Sequence, residues 1–198
     1  MKLLIFLDTG IVGKLIHPLV PNDALFFLNS NNSDEKQSSV LKKSRAIEEM
    51  TESIECIAWL KHLLDNRSCV VGMSEVADYE NRREHIRRIY SKKSSPEQKQ
   101  NALKAIQKLD ILKTSKRIGF FPVNLEEGDV MIKAAELWAC ARNNADNIFD
   151  ADVIIAAQSV IIKSMGIGVV VATTDASDFN RLLKLEQIPA RRWRDIII

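Results

Sequence analysis

Four short runs of continuous apolar residues punctuate the chain: Leu3-Leu4-Ile5-Phe6-Leu7, Cys69-Val70-Val71-Gly72-Met73, residues 118–123 and residues 167–172. None alternates with polar residues. That is the pattern of strands buried on both faces, as in a parallel sheet covered by helices. Between the runs, apolar positions recur at helical spacing. Ile47, Met50, Ile54, Ile57, Ala58 and Leu64 predict the buried face of a helix from about Ala46. Ser74 predicts the cap of a helix containing Val76, Tyr79, Glu80, Arg83 and Arg87. Ser95 before Pro96 opens another helix, through about Leu112. Asp129 begins a helix with Val130, Ala134, Leu137, Trp138 and Ala141 turned inward, residues 152–164 form the next, and residues 179–185 a short one. Residues 9–20 predict a short helix ended by Pro18 and Pro21. Residues 188–198 predict a last strand or tail.

Strands that alternate with helices imply crossover connections, hence an α/β fold with a parallel sheet. The length of 198 residues suits one domain spanning 1–198. The stretch from Leu28 to Ser39 is rich in Asn and Ser and reads as a mobile polar loop.

Composition narrows the function classes only a little. Charged residues make up 27% and the net charge is +2, so bulk charge selects no partner. Its distribution says more: Arg82, Arg83, Arg87, Arg88, Lys92 and Lys93 cluster within twelve residues, and Arg191, Arg192 and Arg194 near the end. Such clusters are either solvated helix faces or phosphate-binding patches. The three cysteines, Cys56, Cys69 and Cys140, are too scattered for a zinc site or a disulfide framework and read as core residues in a reducing compartment. The N-terminal apolar run is interrupted at Asp8, too early for a signal-peptide core or a membrane span. A cytoplasmic protein is expected.

The candidate chemistry is carboxylate. Asp8 ends the first apolar run and Asp175 follows the fourth. Glu80 lies on the helix that leaves the second, and Asp152 opens the helix of residues 152–164. In open parallel sheets, ligands collect beyond the carboxyl ends of the strands. Each acid also has a plainer use. Asp8 and Asp175 suit turns, Asp152 an N-cap, and Glu80 a surface pair with Arg83, while Asp178 suits a cap for the helix from Phe179. Together they fall on one edge of the inferred sheet. Convergent carboxylates without His or Cys suit Mg²⁺ or Mn²⁺. Such ions acidify a water and stabilise the leaving oxygen of a phosphodiester. Arg83 and Arg87, on the helix carrying Glu80, are candidates for the phosphate backbone of RNA.

The ordered segments Leu7-Asp8-Thr9, Ser74-Glu75-Val76-Ala77-Asp78-Tyr79-Glu80, Asp152-Val153-Ile154-Ile155-Ala156-Ala157 and Thr173-Thr174-Asp175-Ala176-Ser177-Asp178-Phe179 resemble PIN-domain nucleases, especially the VapC-type ribonuclease toxins. The resemblance implies a three-layer α/β/α fold and Mg²⁺- or Mn²⁺-dependent cleavage of RNA. It implies Asp8, Glu80, Asp152 and Asp175 as catalytic metal ligands, supported by Thr9, Thr173 and Asp178. It also implies a small antitoxin partner and, often, a homodimer. Two departures stand out. Gly10 replaces the asparagine that often follows Asp-Thr, and the chain is longer than compact toxins, through a polar insertion at about 20–45 and a helical one at about 91–117.

Three rival readings remain at this point. A PIN-like scaffold without catalysis would suit Gly10. The tripeptide Asp8-Thr9-Gly10 is that of aspartic proteases, but it occurs once and in helix-rich surroundings. A phosphatase with an aspartyl nucleophile would want a second Asp two residues after Asp8, where Gly10 stands.

Overall fold

The computed structural model describes residues 3–21, 24–25, 28, 45–66, 68–126, 128–142 and 150–197. The polar stretch of residues 29–44 lies outside them. Five strands form one parallel sheet: β1 (Leu3–Leu7), β2 (Cys69–Ser74), β3 (Ile118–Phe121), β4 (Gly168–Thr173) and β5 (Ala190–Arg192), in the order β3-β2-β1-β4-β5. Seven α-helices connect them: α1 (Thr9–Leu15), α2 (Arg45–Asp65), α3 (Glu75–Tyr90), α4 (Pro96–Thr114), α5 (Val130–Arg142), α6 (Asp150–Ser164) and α7 (Ala176–Leu182).

The chain steps outward from β1 to β3, then crosses back over β1 to β4 and β5. Right-handed crossovers therefore place the first connections on one face and the later ones on the other. The packing agrees. Helix α1 meets α2 and α3, α3 meets α4, and α5, α6 and α7 pack on one another. The result is a three-layer α/β/α sandwich. The strand order reverses at β1 and β4, and the crevice beyond their carboxyl ends is where ligands gather in such sheets. No helix of the described residues is long and apolar enough to cross a membrane.

β1 is hydrogen-bonded on both sides, and Leu4, Ile5, Phe6 and Leu7 are buried. This is the packing that a continuous apolar run specifies. Phe6 meets Phe121 edge to face at 5.3 Å, with the ring of Phe121 lying over Gly72. Removing either ring would open a hole at the strand ends.

Several element details differ from the sequence reading. The first helix stops at Leu15, ahead of Pro18. In α2 the buried positions are Ser53, Cys56, Ile57, Leu60 and Leu63, while Ile54 and Ala58 face solvent. The periodicity misplaced that face because Ser53 looked polar. Its hydroxyl in fact donates to Glu49 O (2.8 Å) and can be buried without loss. Trp138 is more exposed than expected, and Cys140 lies at the surface rather than in the core. The last segment holds only the short β5 and a 3-10 turn (Trp193–Asp195), where Trp193 packs on Trp59 at 5.8 Å. Lys108 of α4 is buried completely. Its ammonium donates to the carbonyls of His17 and Val20, both at 2.5 Å, and so ties α4 to the turn after α1.

Candidate active site

Asp8 stands at the end of β1 and caps α1. Its backbone N–H continues the β1–β4 ladder by donating to Ala172 O (3.0 Å), and its Oδ1 accepts the N–H of Ile11 (2.8 Å). Burial pushes the carboxyl pKa up. Hydrogen bonds from Thr173 and from the N–H groups of Ile11, Gly10 and Thr174 oppose that rise. A capping carboxyl held this firmly is also a fixed oxygen donor at the switch point of the sheet.

Asp152 lies across from it in the first turn of α6. The helix begins two residues before Asp152, at Asp150, so Asp152 is inside the helix rather than at its opening. Its pKa is pushed up to about 7. The causes are burial first, then the charges of Asp8, Asp178 and Glu80. Distant stretches of sequence, at the end of β1 and on α3 and α7, thus place three acids within electrostatic reach of Asp152 on α6.

Glu80 is half-buried on α3 and makes a long ion pair with Arg83 (3.6 Å). Arg87, one turn further on, is held by Glu84 through Nε (3.0 Å) and Nη2 (3.1 Å). Of the two candidate phosphate-binding arginines, only Arg83 touches an acid of the cluster.

Asp175 sits apart from the acids acting on Asp152. It is the N-cap of α7, accepting the N–H of Ser177 (3.0 Å), and its pKa is lowered by that hydrogen bond and by the nearby Arg192. Asp178, one turn into α7, is the acid that acts on Asp152. The cap of this helix is therefore Asp175, and Asp178 is not its cap. Thr173 shapes this corner, its hydroxyl accepting from Asp175 N (3.1 Å) and lying 2.9 Å from Asp175 O. The hydroxyl of Thr9 is buried without a hydrogen-bond partner.

Among the described residues, no three His, Cys, Asp or Glu side chains form a group that could hold a metal ion. What does fit a divalent cation is the donor chemistry, which is oxygen only, with an orphaned hydroxyl at Thr9 beside it. An added cation would offset the repulsion that raises the Asp152 pKa. An open concavity of about 620 Å³ lined by Glu75, Asn124, Glu126 and Asp129 contains none of the four acids. It is therefore not the site of this chemistry.

No protein-family model matches the chain, and no curated protein matches it either. Among solved structures, the crystal structure of FitAcB from Neisseria gonorrhoeae superposes with a TM-score of 0.52, at 20% identity, over 97% of this chain and 99% of that one. FitAB bound to an IR36 DNA fragment gives a TM-score of 0.48 at 19% identity, over 98% of each chain. The chain has a PIN-like fold.

Three features around these acids escaped the sequence reading. Asn81 donates to Thr9 O (3.1 Å) and to Ala77 O (2.9 Å), and so pins α3 to the start of α1. Gly13 leaves room for it, since a Cβ there would come within 3.2 Å of Asn81 Oδ1. Ser74, Gln158 and the end of β3 form a buried polar relay. The Ser74 hydroxyl donates to Gln158 Oε1 (2.6 Å), and Gln158 Nε2 donates to Pro122 O (2.8 Å). That relay fixes α6, and with it Asp152, against the sheet. Finally, Thr174 fills the space beside Gly10. A Cβ at position 10 would lie 2.6 Å from Thr174 Oγ1. The polar pair Gln158-Ser159 inside the otherwise apolar run of residues 153–162 was the available clue for Gln158. Nothing local signalled the other two.

Proposed function

We propose that the chain is a Mg²⁺- or Mn²⁺-dependent endoribonuclease of the PIN type, acting as the toxin of a toxin–antitoxin pair. The observation that carries the reading is the convergence of Asp8, Glu80 and Asp178 on Asp152 at the switch point of the sheet. Asp8, Glu80 and Asp152 would hold the cation, with Asp178 and Asp175 as supporting acids. A bound divalent cation would supply an acidified water and charge stabilisation for the leaving oxygen, giving 5′-phosphate and 3′-hydroxyl ends. Asp8, fixed by its cap hydrogen bond, orients the site. Gln158 and Ser74 hold α6 in register, and Arg83 and Arg87 hold the phosphate backbone. A small antitoxin would cover the acidic crevice, and a second copy of the chain would complete a dimer. Both proposals rest on the resemblance of the four motifs.

The test is incubation of total cellular RNA with Mn²⁺ and sequencing of the new ends, with wild type beside Asp8→Asn. Cuts made by wild type alone and abolished by EDTA are expected. Equal cleavage by both proteins, or cleavage indifferent to EDTA, ends the proposal. A second reading is a PIN-like binding protein without catalysis. It is favoured by the lack of a three-ligand group among the described residues. On that reading Mn²⁺ would neither stabilise the protein nor support cleavage.

A further inference from the structure

One face of α3 is exposed from Tyr79 to the helix end at Tyr90 and carries aromatic and cationic side chains in register. Tyr79, Arg83, Ile86 and Tyr90 fall within about 60° of one another around the helix, at 3.6 residues per turn. All four are open to solvent, with Tyr79 at 59%, Ile86 at 41% and Tyr90 at 82%, and the Arg83 side chain at 63%. The Arg83 guanidinium lies 5.7 Å from the centroid of the Tyr79 ring. Single exposed apolar residues are ordinary, but an aligned row of them calls for an occupant.

The chemistry around the row says which one. Residues 82–93 hold six Lys or Arg against a single acid, Glu84, which pairs with both Arg87 and Arg88, while Arg82 pairs with Asp78 and Asp110. A second copy of this face would oppose like charges, so a symmetric dimer contact is disfavoured there. A polyanion with flat apolar faces is complementary to it. The row starts one residue before Glu80, and Arg83 bridges the two through its ion pair with Glu80 (3.6 Å). It then runs about 16 Å along the helix away from the acids. At its far end Arg87 borders a polar groove of about 560 Å³ between the end of α3 and the start of α4, lined also by Arg88, Ser94 and Gln98.

We propose that the Tyr79–Arg83–Ile86–Tyr90 face of α3 is a stacking track for unpaired RNA, leading a single strand into the acidic crevice. Bases stack on Tyr79 and Tyr90, the guanidinium of Arg83 packs between them, and phosphates run on the Arg87 side. Paired RNA keeps its bases inside the helix and offers nothing to these rings, so the track selects single strands. The inference rests on the nuclease reading for the strand's destination but not for its binding.

Binding is measured in EDTA, which stops metal-dependent cleavage, by fluorescence anisotropy with a labelled oligoribonucleotide of about 12 unpaired residues and with the same strand in a duplex. Tyr79→Ala and Tyr90→Ala should each weaken binding of the unpaired strand by about tenfold or more, with duplex binding little changed. Phenylalanine at either position should restore it. Both rings are exposed, so neither change threatens the fold. Wild-type affinity in the Tyr79→Ala/Tyr90→Ala double variant overturns the proposal. So does conversion of a dimer to a monomer in that variant, which would make the face a contact between copies. Tyrosine-dependent binding without Mn²⁺-dependent cleavage would sink the nuclease reading and leave the track. Cleavage with tyrosine-independent binding would do the reverse.

Discussion

Thr174 stands where a side chain at position 10 would have to go. A Cβ built on Gly10 lies 2.6 Å from Thr174 Oγ1, 3.1 Å from its Cγ2 and 3.4 Å from Asp8 Oδ1. Gly10 is therefore half of a complementary pair between the ends of β1 and β4, with the Thr174 hydroxyl in the space that a side chain at position 10 would take. Gly10→Ala should destabilise the protein by about 1 kcal/mol by forcing Thr174 off its rotamer. Thr174→Ala should relieve most of that. Urea denaturation of the four proteins in a double-mutant cycle measures the coupling, and additive effects would show that Thr174 yields freely.

Burial of Asp152, and after it the repulsion from Asp8, Asp178 and Glu80, predict a pH dependence. Its carboxyl titrates near pH 7 in the folded protein instead of near its ordinary 3.8. Below about pH 4 both states hold the proton and the residue has no effect. Between about pH 4 and 7 the folded protein keeps a proton that the unfolded chain releases, so stability falls as pH rises. Above 7 the full destabilisation is present. A carboxyl moved that far represents roughly 4 kcal/mol, and screening by solvent leaves about 1–2 kcal/mol at this partly solvated position. Asp152→Asn should be more stable than wild type by that amount at pH 8 and no more stable at pH 4, in chelator. A gap independent of pH would show that the Asp152 carboxyl is not shifted in the folded protein.

Mn²⁺ at pH 8 should raise the Tm of wild type by offsetting the same repulsion, and should raise that of Asp152→Asn much less. Differential scanning fluorimetry across a titration of the ion reads this directly. Equal shifts in the two proteins would point to binding elsewhere.

Asp175 and Asp178 should separate by role. Asp178→Asn should lower RNA cleavage, because Asp178 is the acid that acts on Asp152. Asp175→Ala removes the cap of α7 and should lower the Tm by about a few degrees with a smaller effect on cleavage. The opposite ranking in a cleavage assay would return the fourth acid to Asp175.

Asp8→Asn keeps an acceptor for the Ile11 N–H and so should leave the fold intact. Loss of residues that merely support a metal ligand lowers activity about 10–100-fold, so loss of a ligand itself should exceed roughly 100-fold. Circular dichroism alongside the cleavage assay distinguishes chemical loss from unfolding.

The sheet was legible because its strands are buried on both faces, which leaves continuous apolar runs. β1 occupies residues 3–7 as expected, and β2 and β4 differ by a residue at their ends. Caps were legible at Ser74 and Ser95, where side-chain chemistry is local. The buried face of α2 was not, because a serine that bonds back to its own helix looks polar in sequence and behaves as a small core residue. At the site, sequence order pointed to the candidate acids but did not separate Asp175, the cap of α7, from Asp178, whose charge acts on Asp152. That depends on α7 starting at Ala176, three residues earlier than its apolar pattern suggested. Asn81, Gln158 and Thr174 act across long stretches of chain, and no local pattern encodes such contacts.

The order in which the sheet is laid down has a consequence for synthesis. β1 emerges first from the ribosome yet sits in the middle, waiting for β2 on one flank and for β4, more than 150 residues later, on the other. Asp8 is translated early, but Asp152 and Asp178 arrive only with the final quarter of the chain. A nascent polypeptide therefore cannot bring its acids together until α6 and α7 have both emerged, and whatever chemistry they support is withheld until then.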